Sequence, residues 1–239
     1  MLREIRKKMV ILRNRVPFPQ QVKDYLNQVE YREWIHGNLR LSGSSLMPEQ
    51  IDAILNEEVL LQVAVEDYLM IERLGELRSY IYRLTDMGAA LSTQIIRDIH
   101  AILTGRSREE FRRGGIMMEQ YGRYNPLIGT DIPEAMAEVV RFAQRSDEGE
   151  NPFEKAAALH NRLIEIYPFQ DENETLARAV MYYILAEAGY PMAIISLTAE
   201  GYRDMIVSYL DGGGSDILAR QLETAVLHRF EVMMELTAH

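Results

Sequence analysis

The chain has 239 residues, 47% hydrophobic and 26% charged, with 26 Lys and Arg against 36 Asp and Glu for a formal net charge of -10. That length suits one large domain or two small ones, and the acidic balance argues against a protein that neutralises nucleic-acid phosphates, which needs Lys and Arg clustered over one face. No cysteine is present, which excludes a disulfide framework, a thiolate metal site, an iron–sulfur cluster and a cysteine nucleophile.

Residues 1–15 carry Arg3, Arg6, Lys7, Lys8, Arg13 and Arg15 and read as a solvated or frayed basic terminal segment. Their apolar stretch, Met9 to Leu12, is too short for a signal-peptide core. Runs such as Val59-Leu60-Leu61 and Ile194-Ile195 fall far below the ~18 residues of a membrane span. A cytoplasmic chain with neither a membrane nor a nucleic-acid partner is expected.

From there the periodicity is helical nearly everywhere. Pro19 opens a segment in which Val22, Tyr25, Leu26 and Val29 follow i, i+3, i+4, i+7. The lone Trp34, just before Gly37, is expected to pack a helix end onto the core. Pro48 stands at a first helical position ahead of Ile51, Ile54 and Leu55. Ser92 precedes Ile95, Ile96, Ile99 and Leu103, with Gly105 beyond; Pro133 precedes Met136, Val139 and Val140; Pro152 precedes Ala156, Leu159, Leu163 and Ile164. Further helices are predicted from about Thr175 to Glu187 with Gly189 as the stop, after Thr198, and after Ser215. Phe111 to Gly129 stands apart, because Gly114, Gly115, Gly122 and Gly129 flank short apolar runs in the manner of a loop or small β-hairpin. An all-α helical bundle with a hairpin flap is the expected fold class.

The stretch from Leu159 to Arg178 is the most informative. Pro168 stops one helix, and a short polar loop leads into the next, whose first N–H groups would be free to bind an anion. Arg178 lies inside that helix, and Asp171 offers the hard oxygen that Mg²⁺ prefers. Here the sequence resembles the Fic (Fido) family, whose signature reads H-P-F-x-D-G-N-G-R-x-x-R. Laid against it without a gap, residues 167–178 keep Pro168, Phe169, Asp171, Asn173 and Arg178. They carry Tyr167 for the His, Glu172 and Glu174 for the two Gly, and Thr175 for the first Arg. The resemblance extends to A-A-L-H ending at His160 and A-E-A-G-Y-P ending at Pro191. It also includes Leu41-Ser42-Gly43-Ser44-Ser45-Leu46, where Ser42 falls on the position of the family's inhibitory Glu.

This resemblance implies a Fic-like core over 86–239 behind an N-terminal helical region, 1–85, that carries the degenerate inhibitory-type segment. It implies protein adenylyltransferase chemistry, in which the motif His deprotonates a target hydroxyl and the Asp holds Mg²⁺. The glycine-flanked amides and the two Arg would hold the phosphates of ATP. It further implies a flap, here Ile116, Met117 and Met118, that docks the target protein by strand addition.

The substitutions weaken each step. Tyr at the base position has a pKa near ~10 against ~6.5 for His, so only about one molecule in a thousand is a phenolate at neutral pH. Glu172 and Glu174 add Cβ atoms and negative charge where phosphates would sit, and each pair term is worth ~1 kcal/mol in water to ~4 at an effective dielectric of about 20. The expected function is therefore a Fic relative with a degenerate site, inactive in catalysis and working as a binding or regulatory module, with a partner protein at the flap and an oligomer possible. The alternative is an active nucleotidyl- or phosphotransferase using Mg²⁺ and ATP, or another nucleotide, through Asp171, Asn173 and Arg178. As plain structure, Glu172 and Glu174 favour a helix N-terminus, Asp171 and Asn173 cap a loop, and Arg178 pairs with Glu174 four residues earlier. His160 is either a substitute base or a satisfied core histidine. His36, His100 and His228 show no ligand spacing.

Overall fold

The computed structural model describes residues 1–145 and 149–238, and among them every regular element is helical. The basic N-terminus departs from expectation. It forms α1 (Leu2–Arg13), whose Ile5 and Leu12, at i and i+7, are buried against the last helix, α10 (Asp216–Leu236), while Arg3, Arg6 and Lys7 face solvent. The segment is thus docked rather than frayed, because its apolar stripe outweighs its charge.

α2 (Gln20–Leu41) begins directly after Pro19. Its first half is only partly covered, with Tyr25 52% exposed, and its second half buries Trp34, Ile35, Leu39 and Leu41. Trp34 therefore sits within α2 and not at its end; its indole N–H donates to the Leu74 carbonyl at 2.7 Å, and its ring meets Tyr182 edge-on at 5.5 Å. α3 (Pro48–Leu55) and α4 (Val65–Asp86) follow. α4 has no proline start and no side-chain cap; its face of Ile71, Leu74, Leu77 and Ile81 holds it in place. In α5 (Thr93–Thr104) the Ser92 hydroxyl accepts from the Ile95 N–H, and Gly105 ends the helix at φ 65°. α6 (Ile132–Gln144), α7 (Pro152–Ile166), α8 (Asn173–Glu187) and α9 (Ala199–Leu210) complete the bundle, with Asn151 and Thr198 capping α7 and α9 by their side chains.

α7 and α8 are the centre. α8 buries every residue from Thr175 to Leu185, so its whole circumference meets protein, and the buried side chains of the chain form one continuous cluster. Among the described residues no helix is long and apolar enough to cross a membrane.

The expected β-hairpin flap does not form. Among the described residues there is no strand; a single antiparallel bridge joins Met118 and Tyr124 around a 3-10 turn, Glu119–Tyr121. The apolar side chains that would have lined a hairpin are instead drawn inward, with Phe111, Met118 and Tyr121 all buried. Burial of such side chains contributes about 1.5–3 kcal/mol each, more than the few hydrogen bonds of a short isolated ladder. At the far end of this loop, a Cβ on Gly129 would lie 2.2 Å from the Arg113 carbonyl oxygen, so only glycine lets the chain pass there.

Gly129→Ala is accordingly expected to cost about 1–3 kcal/mol through overpacking against backbone that cannot rotate away. Urea denaturation measures the loss, and limited proteolysis should cut first within 111–129; wild-type stability would contradict the close approach.

Candidate functional site

The loop between α7 and α8 is organised by Asn173, the first residue of α8. Its Oδ1 accepts from the Phe169 N–H at 2.9 Å, while its Nδ2 donates to the carbonyls of Phe169 at 3.0 Å and Asp171 at 3.1 Å. The side chain is buried, and these bonds satisfy backbone groups that water does not reach. At each end of the loop a non-glycine residue adopts the left-handed conformation: Tyr167 with φ 51° and Glu172 with φ 53°. Glu172 is the residue aligned with the first family glycine. The backbone thus keeps a glycine-type conformation under a glutamate, at a cost of about 1–2 kcal/mol.

Tyr167 ends α7, its N–H donating to the Leu163 carbonyl at 2.8 Å. Its ring is buried, beside Gln120 and Asn173. Burial first, and then the Glu174 carboxylate, push the phenol up to about 12. The phenolate fraction at pH 7 falls to roughly one in 10⁵, lower than for a free tyrosine. Tyr121 is buried alongside and also held protonated, by burial and by Glu174. Glu174, aligned with the second family glycine, therefore places a carboxylate among phenols.

Asp171 is half-exposed and already paired. Both of its oxygens accept from Arg106 Nη2, at 2.7 and 2.6 Å, and Oδ1 lies 3.3 Å from His100 Nε2. His100 is fully buried and stacks on Phe169 with ring centroids 3.8 Å apart and planes 8° from parallel. Desolvation dominates its shift and lowers its pKa, with Asp171 opposing. These residues do not fit a divalent cation: a guanidinium holds the one aligned carboxylate, and among the described residues no group of three or more His, Cys, Asp or Glu could hold a metal ion.

Arg178 does not pair with Glu174. Its side chain, fully buried, runs to the end of α2, where Nε donates to Asn38 Oδ1 at 3.2 Å and Nη2 to Ser42 Oγ at 2.6 Å; Nη2 also reaches Thr175 Oγ1 at 3.2 Å. Its Cζ lies 5.2 Å from the centroid of the Tyr202 ring, and Nη1 has no hydrogen-bond partner. Ser42, aligned with the family's inhibitory Glu, thus meets the last motif arginine through a neutral hydroxyl. His160 belongs to the core: Nδ1 meets Asn161 Oδ1 at 2.8 Å and Nε2 meets the Tyr202 hydroxyl at 2.6 Å. Burial, aided by the charge of Arg178, lowers its pKa to about 4. It is not a substitute base for Tyr167, whose backbone has already left the helix.

Two residues escaped the sequence reading: Arg106, which holds Asp171, and Arg112, which fastens the flap; His100, read only as lacking ligand spacing, also lies against Asp171. The buried Arg112 guanidinium donates to the carbonyls of Tyr167 (2.7 Å), Ile166 (3.1 Å), Gly114 (2.6 Å) and Leu127 (2.7 Å), tying the C-terminal carbonyls of α7 to loop 111–129. Its neighbours Glu109, Glu110 and Arg113 are charged, so the sequence carries no signal for an inward arginine there. Of the flap residues, Met118 is buried, Ile116 partly so, and Met117 is 44% exposed. A groove of ≈ 700 Å³ beside the flap is lined by Tyr124, Leu127, Ile128, Glu138, Arg162 and Glu165, among others, and not by Asp171, Asn173 or Arg178. The aligned motif and this groove are separate features.

Asn173→Ala should cost about 2–3 kcal/mol in urea denaturation, since it strands the buried Phe169 N–H. Glu172→Gly should gain up to about 1 kcal/mol by relieving the left-handed glutamate; a loss would show that its charge at the α8 N-terminus matters more. His160, neutral when folded and near ~6.5 when unfolded, contributes stability that is present above pH ~6.5 and lost as pH falls toward 4. Between pH 7 and 4.5 the wild type should therefore lose about 2 kcal/mol more than His160→Gln; equal losses would contradict a buried neutral imidazole.

Residues 90–185 match the family described as Fic/DOC. The chain is 27% identical over 125 residues to protein adenylyltransferase fic-1 of Caenorhabditis briggsae, an alignment covering 50% of this chain and 24% of that protein. It is 25% identical over 173 residues to protein adenylyltransferase Fic of Drosophila melanogaster, covering 69% and 34% respectively. The chain thus spans about a quarter to a third of the length of these relatives. In fold it is similar to a Fic-domain-containing signaling protein from Bacteroides thetaiotaomicron, with TM-score 0.81 at 17% identity over 98% of this chain and 97% of that one. It is also similar to Fic-1 of Caenorhabditis elegans, with TM-score 0.73 at 18% identity over 99% and 70%. The segment that runs from α5 through most of α8, and contains the Asn173 loop, is the part that matches the Fic/DOC family.

Proposed function

We propose that this Fic-fold chain does not transfer AMP and serves as a binding or regulatory module on the adenylyltransferase scaffold. The observation that carries this reading is the buried phenol at the base position, Tyr167, with its pKa near 12 beside the Glu174 carboxylate. A general base works best with a pKa near the working pH, and this group lies about five units above it. The pairing of Asp171 with Arg106 and the two glutamates in place of glycines support it, since each opposes a metal–triphosphate complex. In this reading residues 86–239 are the retained core, residues 1–85 supply the Ser42 segment, and a partner protein docks on the flap through Ile116 and Met117, with Met118 as the buried anchor.

A second reading is favoured by one observation: Nη1 of the buried Arg178 has no partner, as suits a group waiting for an oxyanion. The chain would then be a nucleotidyl- or phosphotransferase with Asp171, Asn173 and Arg178 on an altered donor. Calorimetry with Mg-ATP, Mg-GTP and Mg-CTP separates the two. The inactive module gives no heat at millimolar nucleotide, and Tyr167→His alone restores no transfer of labelled AMP. Micromolar binding that disappears in Arg178→Lys, with the fold intact by circular dichroism, would establish the transferase instead.

A further inference from the structure

Arg178 is a charge buried in the site without an opposite charge and, unlike Arg112, it keeps one nitrogen, Nη1, without a hydrogen-bond partner. Its guanidinium is permanently cationic and fully buried, and all three of its hydrogen-bond acceptors, on Asn38, Ser42 and Thr175, are neutral. The nearby acids are engaged elsewhere: Asp171 with Arg106, and Glu174 beside the phenols of Tyr121 and Tyr167. Of the three acceptors, Asn38 and Thr175 are buried, and only Ser42 is exposed. Ser42 follows the last residue of α2 and starts the turn Ser42-Gly43-Ser44-Ser45, so its hydroxyl touches both solvent and the buried cation.

We propose that Ser42 is a phosphorylation site and that the phosphoserine supplies Arg178 with its missing counter-ion. In the modifying step Ser42 Oγ forms a bond to the γ-phosphorus of a nucleoside triphosphate held by a separate protein kinase. The bond from that phosphorus to the nucleoside diphosphate oxygen breaks, the hydroxyl proton passes to the kinase's base, and the diphosphate leaves. The three phosphate oxygens then face Nη2 and the unpartnered Nη1, giving the two-pronged geometry that a guanidinium makes with phosphate. Arg40 on the same helix does not compete, because its Nε and Nη2 already donate to the carbonyls of Leu197 and Ile195.

One effect opposes this. Ser42 lies at the C-terminal, partly negative end of α2, where an added anion weakens folding by a factor of about two to five. A charge-assisted hydrogen bond to a buried guanidinium is worth a factor of about ten to a hundred. The pairing wins, and the modification strengthens the contact of α2 with α8. None of this depends on whether the domain transfers AMP.

The test uses the full chain with phosphoserine placed at 42 or, as a control, at 45, in wild-type and Arg178→Lys backgrounds. Phosphoserine at 42 should raise the folding constant about tenfold in urea denaturation, and at 45 leave it unchanged or lower. In ³¹P NMR titration its second pKa should fall about one unit below the ordinary ~6. That titration decides the outcome even if the Arg178→Lys chain fails to fold. Incubation of the unmodified chain with a broad-specificity serine kinase and Mg-ATP, followed by peptide mass mapping, should place phosphate on Ser42. An ordinary pKa at 42, stability equal to the 45 control, or modification that spares Ser42 would overturn the proposal. So would inorganic phosphate stabilising the unmodified chain while phosphoserine at 42 does not, which would mark the site as one for free anions.

Discussion

The Asn173 carboxamide fastens a turn between two helices that are buried on almost every side. α7 and α8 lie in the centre of the bundle, and residues 167–172 must reverse the chain with Tyr167, Pro168 and Phe169 buried. Asn173 takes one N–H and two carbonyls of that turn, Arg112 takes the last carbonyls of α7, and the left-handed conformations of Tyr167 and Glu172 are the geometric consequence. With the turn held this way, Asp171 is aimed at Arg106 and His100. Phe169 is pressed between His100 and Phe111, and the side chain of Arg178 is directed to the end of α2.

The charges of the loop are each satisfied, or left unsatisfied, in a different direction. Asp171 turns outward to a half-exposed guanidinium, Glu174 turns to buried phenols, and Arg178 turns inward to neutral acceptors. Opposite charges that could have cancelled within one turn of helix are kept apart, because Arg178 runs to the end of α2 while Glu174 lies beside the phenols of Tyr121 and Tyr167. The result is a carboxylate that raises tyrosine pKa values on one side and an uncompensated cation on the other. Both follow from helix burial, and the uncompensated cation is the feature on which the proposal at Ser42 rests.

Much of this was legible in the sequence. The starts at Pro48, Ser92, Pro152 and Thr198 and the stop at Gly105 are local signals, and they survive folding because a cap depends on a few neighbouring residues. The contact between Ser42 and Arg178, more than a hundred residues apart, is by contrast made by the fold. α4 was less visible because it has no cap, and α1 was misread because six basic residues conceal the Ile5–Leu12 stripe. The flap differs for a related reason: short apolar runs flanked by glycines signal a loop or hairpin, but Phe111, Met118 and Tyr121 gain more by entering the core than by lining a ladder.

The sequence by itself determined a helical chain resembling the Fic family, the position of the loop between α7 and α8, and the presence there of Tyr167, Glu172, Glu174 and Thr175. These are matters of residue identity and short-range periodicity. Only the tertiary structure decided what each charge faces: that Asp171 meets Arg106, that Tyr167 is buried next to Glu174, that His160 is a core residue bonded to Tyr202, and that Arg178 lacks a counter-ion. The reason is that electrostatic interaction depends on burial and on distances of a few ångströms between segments remote in sequence, which no local pattern encodes.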